Sequence, residues 1–65
     1  LHDVLGLVLE MDLPLSLARQ RVIDELERRY VDRVLAKHGG NVTRAAHASG
    51  IARRYFHTLR ARHRV

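Results

Sequence analysis

The 65-residue chain contains no cysteine, which removes a disulfide framework and a thiolate metal site together and makes a reducing compartment its natural home. A domain this short can build only a marginal core, so association between copies is the remaining way to stabilise it. Long apolar runs are missing as well. The stretch from Val4 to Leu9 is interrupted by Gly6 and followed by Glu10 and Asp12, too short to span a bilayer. There is no repeat or low-complexity tract. No nucleophile stands beside a base and no phosphate loop is present, and so short a chain has little room for a closed pocket, so no enzymatic activity is expected. Of the five histidines (His2, His38, His47, His57, His63), no two lie at i, i+4, and no cysteine completes a ligand set. Neither a metal nor another cofactor is expected. The first residue is Leu, and the chain is expected to be a piece of a longer soluble, cytoplasmic protein.

The most informative absence is that of acid at one end. Residues 1 to 40 hold six basic side chains (Arg19, Arg21, Arg28, Arg29, Arg33, Lys37) against seven acidic ones, close to neutrality. Residues 41 to 65 hold six arginines (Arg44, Arg53, Arg54, Arg60, Arg62, Arg64) and no carboxylate. An uncompensated arginine block attracts a polyanion, because each phosphate contact releases condensed counterions. A merely solvated tail would show no order in its apolar residues. Here the arginines are interleaved with Ile51, Tyr55, Phe56 and Leu59 at helical spacing.

An all-α fold is expected. Residues 1–15 read as a lead-in or linker with weak periodicity, ended by Leu13-Pro14-Leu15. Ser16 stands where an N-cap should, and good helix formers run from there to His38, about 22 helical residues. Val22, Ile23, Leu26, Tyr30, Val31, Val34 and Leu35 form one broad apolar stripe, with Glu25–Arg29 and Arg28–Asp32 able to pair one turn apart. Two short helices can cover only part of so long a stripe, so the same helix of a second subunit is the expected partner. Gly39-Gly40 supplies the left-handed turn that stops this helix, and Asn41 caps the next. That second helix is short, with a slim apolar face of Val42, Ala45, Ala46 and Ala48, and Gly50 ends it. A third runs from about Ala52 to His63 with Ile51, Tyr55, Phe56 and Leu59 on one face.

A short helix, a glycine turn and a basic helix make the pattern of a helix-turn-helix. The small Ala46 lets the helices approach, Gly50 permits the turn, and Phe56 with Leu59 anchors the outer helix so that its first turns can enter a major groove. The run Gly39-Gly40-Asn41-Val42-Thr43-Arg44-Ala45-Ala46, followed by Gly50-Ile51, Arg53 and Arg62-His63-Arg64-Val65, resembles the Fis-type DNA-binding domain. Leu13-Pro14-Leu15, Glu27 and Tyr30 are similar to the family's first helix, extending the resemblance over about residues 13 to 65. Such domains close many bacterial enhancer-binding activators of the NtrC class, response regulators among them, which work with sigma-54 RNA polymerase.

The resemblance implies a homodimer: residues 16–38 form a dimerisation helix, with Ile23, Leu26, Tyr30 and Val34 at the interface, and residues 41–65 the helix-turn-helix. It implies binding of double-stranded DNA in the cytoplasm, at the bacterial nucleoid, with any RNA polymerase contact made by domains elsewhere. Carried over by position, it puts Arg53 and His57, with Arg54 beside them, at the bases, and Asn41, Thr43, Arg44, Tyr55 and Thr58 at phosphates. An arginine at the start of the outer helix can bind guanine O6 and N7 together. The chain departs from the family in three places. Ala52 replaces the usual capping Ser, Asp or Asn; Ala48-Ser49 replaces bulkier apolar residues and is expected to thin the core; Arg60 stands where Leu is common. The alternative class is a helical dimerisation module whose basic end binds RNA or an acidic protein.

Overall fold

The computed structural model describes residues 3–63. His2, Arg64 and Val65 lie outside them. Four helices follow in order: α1 (Val4–Glu10), α2 (Leu15–Lys37), α3 (Val42–Ser49) and α4 (Arg53–His63). Among the described residues there is no strand, and no helix is long and apolar enough to cross a membrane.

The first departure from the sequence reading is α1, inside the segment expected to be a lead-in. Asp3 nucleates it, its Oδ1 accepting the Gly6 N–H at 2.9 Å. Val8 is buried on its inner side, while Leu5, Leu7 and Leu9 are exposed. The chain then reverses through Asp12 at φ 51°, the left-handed region that a short polar side chain tolerates. The second departure is the start of α2. Pro14, at φ −53° and ψ 147°, occupies the N-cap without a side-chain cap bond, and its carbonyl accepts the Ala18 N–H at 2.9 Å. Ser16 therefore sits in the first turn and is not the cap. Proline suits the boundary because it has no N–H to leave unpaired.

α2 has 23 residues, a length of roughly 34 Å. It nearly fills the longest dimension of the molecule, 38 Å. On its exposed flank Glu25 pairs with Arg29 (2.6 Å), as the spacing predicts, and also with Arg28. These hydrogen bonds, Arg28 first and Arg29 second, hold the Glu25 carboxyl below its ordinary pKa and raise that of Arg28. The expected Arg28–Asp32 ion pair is not made, since the guanidinium turns toward Glu25.

Two glycines end α2 as anticipated. Gly39 adopts φ 62°, its N–H donating to the Ala36 carbonyl (3.1 Å), and Gly40 N–H reaches Leu35 O (2.9 Å). These two bonds form a Schellman motif. A second such motif closes α3: Gly50, at φ 71°, donates to His47 O (3.1 Å) and Ile51 N–H to Ala46 O (3.2 Å). Ile51 then packs against the core. The same two bonds that stop α3 thus place the apolar residue that starts the turn.

The core gathers at the C-terminal half of α2: Val31 and Val34 from α2, Ala45 and Ala46 from α3, Phe56 and Leu59 from α4, with Leu35, Val42 and Ile51 packed against them. Phe56 is fully enclosed. Alanines at 45 and 46 let α3 approach α2 and α4 closely enough to bury that ring. Two residues assigned to apolar faces lie elsewhere. Tyr55 and Ala48 are exposed, so the small side chain at 48 does not thin the core, and Ser49 donates its hydroxyl to Ala45 O (2.8 Å). Arg60 is partly covered, lining a hollow with Arg28, Asp32 and Leu35.

Candidate nucleic-acid interface

All eight residues expected to face DNA (Asn41, Thr43, Arg44, Arg53, Arg54, Tyr55, His57, Thr58) are exposed. They occupy two places: Asn41, Thr43 and Arg44 the N-terminal turn of α3, and the other five the first half of α4. The core fixes the two helices against each other, because Ala46 on α3 and Phe56 and Leu59 on α4 all point inward.

Asn41 caps α3, its Oδ1 accepting the Arg44 N–H at 3.0 Å. That leaves the amide NH2 available to a phosphate oxygen. The Thr58 hydroxyl donates to the Arg54 carbonyl at 3.1 Å, a bond within its own helix. Its donor is thus engaged locally. A phosphate contact by Thr58 requires that bond to be exchanged.

The electrostatics of α4 are the sharper signal. A helix N-terminus carries partial positive charge, so acidic residues are favoured in its first turn and basic residues in its last. α4 has no acid in its first turn and begins with Arg53 and Arg54. Ala52 accepts the Phe56 N–H through its backbone (3.0 Å) but brings no capping oxygen. The start of α4 thus stacks two cations on the positive end of a helix with nothing to offset them, a local arrangement that opposes helix stability and suits an anion from outside. Among the described residues, Arg44, Arg53 and Arg54 make no ion pair. At the other end, Arg60, Arg62 and His63 lie where basic residues are ordinarily favourable.

That far end carries a contact no local pattern could signal. The Glu27 carboxylate of α2 meets the His63 Nε2 at 2.9 Å and the Arg62 guanidinium at 3.8 Å. Glu27 and His63 are 36 residues apart, and the His63 side chain is 11% exposed. Glu27 thereby ties down the end of α4 opposite to Arg53, which restrains the direction in which the basic end projects.

Of the four stripe residues expected at a contact between copies, Val34 lies in the core of the chain and is spent on internal packing. Ile23, Leu26 and Tyr30 remain exposed, Leu26 at 63%. Leu26 and Tyr30 line an apolar groove of about 370 Å³ with Val31, Ile51, Phe56 and Leu59, while Ile23 lines a separate hollow with Leu5, Leu9 and Leu15.

A short helix closed by a left-handed glycine, a turn and an outer helix with a cationic N-terminus define a helix-turn-helix, a DNA-binding class of fold. Residues 22–62, well over half of the chain, match the family model described as bacterial regulatory protein, Fis family, and the chain belongs to that family. No curated protein and no solved structure matches it.

Proposed function

We propose that this domain binds duplex DNA with sequence preference, as a homodimer, and serves as the C-terminal reader of a sigma-54-dependent regulator at the bacterial nucleoid. The observation that carries the reading is the start of α4, where Arg53 and Arg54 are exposed and without an acidic partner among the described residues. Arg53, Arg54 and His57 read base edges. Asn41, Thr43, Arg44, Tyr55 and Thr58 hold the backbone. The exposed Ile23, Leu26 and Tyr30 support pairing through α2, which sets the spacing of two half-sites. Attachment to a sigma-54 activator, with RNA polymerase contacts made by other domains, rests on family resemblance alone.

Titration with random and selected duplexes over a range of salt tests the reading. Affinity should fall steeply with salt, each lost arginine–phosphate contact reducing the log–log slope by about 0.9. Arg53→Ala should cost about 1–3 kcal/mol on the preferred site and much less on random duplex, which is the mark of a base contact. Preference for single-stranded RNA, or failure to bind any duplex at low salt, would instead support the interaction-module reading. Sedimentation of the same chain tests the dimer.

A further inference from the structure

The Glu27–His63 contact has a third member. Asp24 precedes Glu27 by three residues on α2 and so shares its face, and one donor atom from each of Asp24, Glu27 and His63 lies within 4.8 Å of the others. All three residues are partly buried. We propose that they form a binding site for a divalent transition-metal ion of the zinc type, with water completing the coordination.

The donor set is one imidazole nitrogen and two carboxylates, a combination suited to borderline ions such as Zn²⁺ and Co²⁺ and poor for Mg²⁺ or Ca²⁺, which take oxygen alone. The distances suit the same ions. With metal–ligand bonds of about 2.0–2.2 Å and tetrahedral angles, two donors on one ion lie roughly 3.3–3.6 Å apart. The 2.9 Å between Glu27 Oε1 and His63 Nε2 is close to that span, and a separation of up to 4.8 Å must close by no more than about 1.5 Å, within reach of a carboxylate rotation. Gln20 donates to Asp24 Oδ1 at 2.8 Å, the kind of outer contact that orients a ligating carboxylate. Arg28 and Arg60 line a hollow with His63, Arg28 being engaged by Glu25, but the cation that faces the carboxylates directly is Arg62. It stands 3.8 Å from Glu27, its side chain is half exposed, and it can swing into solvent.

Binding would replace the Glu27–His63 hydrogen bond by two metal bonds and add Asp24 to the link between α2 and the end of α4. A chain with no cysteine and a small core gains most from such a staple. Histidine spacing gives no hint of the site because His63 meets the carboxylates only through the fold.

The test uses the 65-residue chain stripped of metal with a chelator, titrated with ZnCl2 by calorimetry and followed by thermal unfolding, with CoCl2 as a spectroscopic probe. One ion per chain, a saturable rise in Tm and a visible Co²⁺ band are expected. Asp24→Asn, which leaves the Glu27–His63 contact in place, should weaken affinity at least tenfold, and the double variant His38→Asn, His47→Asn should leave it unchanged. The proposal is overturned if Zn²⁺ at millimolar concentration leaves Tm unmoved. It is equally overturned if Asp24→Asn binds as tightly as the parent, or if the double variant abolishes binding.

Discussion

Replacing Gly50 with alanine isolates a single physical quantity. Gly50 sits at φ 71° and ψ 23°, and a Cβ added there meets nothing within 4 Å. No steric clash contributes, so the cost is the intrinsic penalty of the left-handed region for an L-residue, roughly 1–2 kcal/mol. Part is offset because alanine has less freedom than glycine to lose on folding, on the order of 0.5 kcal/mol. The net loss should be about 1 kcal/mol, which for a domain of this size lowers Tm by roughly 4–8 °C. Asparagine, which tolerates this region, should cost less than alanine, and valine more. Thermal unfolding followed by circular dichroism at one fixed protein concentration measures the series, since association would itself shift Tm. Duplex binding well below Tm should be nearly unchanged, because the turn is strained without being displaced. An alanine variant as stable as the parent would refute the reasoning. A loss beyond about 3 kcal/mol would do the same by revealing contacts that the open surroundings of Gly50 exclude.

Phe56→Ala removes the one large side chain that is fully enclosed among the described residues; a loss of about 3–5 kcal/mol is comparable with the whole stability of so small a domain, so denaturant titration should show no cooperative transition. Asn41→Ala removes the α3 cap and should cost about 0.5–2 kcal/mol in a urea titration. Asn41→Asp keeps the capping oxygen but loses the amide donor, so it should preserve stability while weakening duplex binding. The pH dependence follows from Glu25, whose pKa in the fold is held below 4.5 by Arg28 and Arg29. A depressed carboxyl stabilises the fold above its unfolded value and loses that contribution as the pH falls through its folded value. The stability difference between the parent and Glu25→Gln should therefore be small, because the pair is exposed to solvent; it should be present at neutral pH and fade as the pH falls through the lowered value.

Sequence by itself determined the features that depend on near neighbours. The glycine stops, the Asn41 cap and the concentration of arginine without acid after residue 40 are all local or additive, and the helix ends stand close to where these signals place them. Residues 1–15 were the exception, because a helix of 7 residues, about two turns, shows little periodicity and the signals at its ends, the Asp3 cap and the reversal at Asp12, are single residues. Tertiary structure alone decided how the α2 stripe is divided. Periodicity places Leu26 and Val34 on one broad face, but which is enclosed depends on where α3 and α4 lie, and they cover Val34 and leave Leu26 open. It also decided that Tyr55 and Ala48 face outward and that His63 reaches Glu27 across 36 residues. Local chemistry sets where a helix begins and ends; what it touches is settled only when distant helices compete for the same apolar surface.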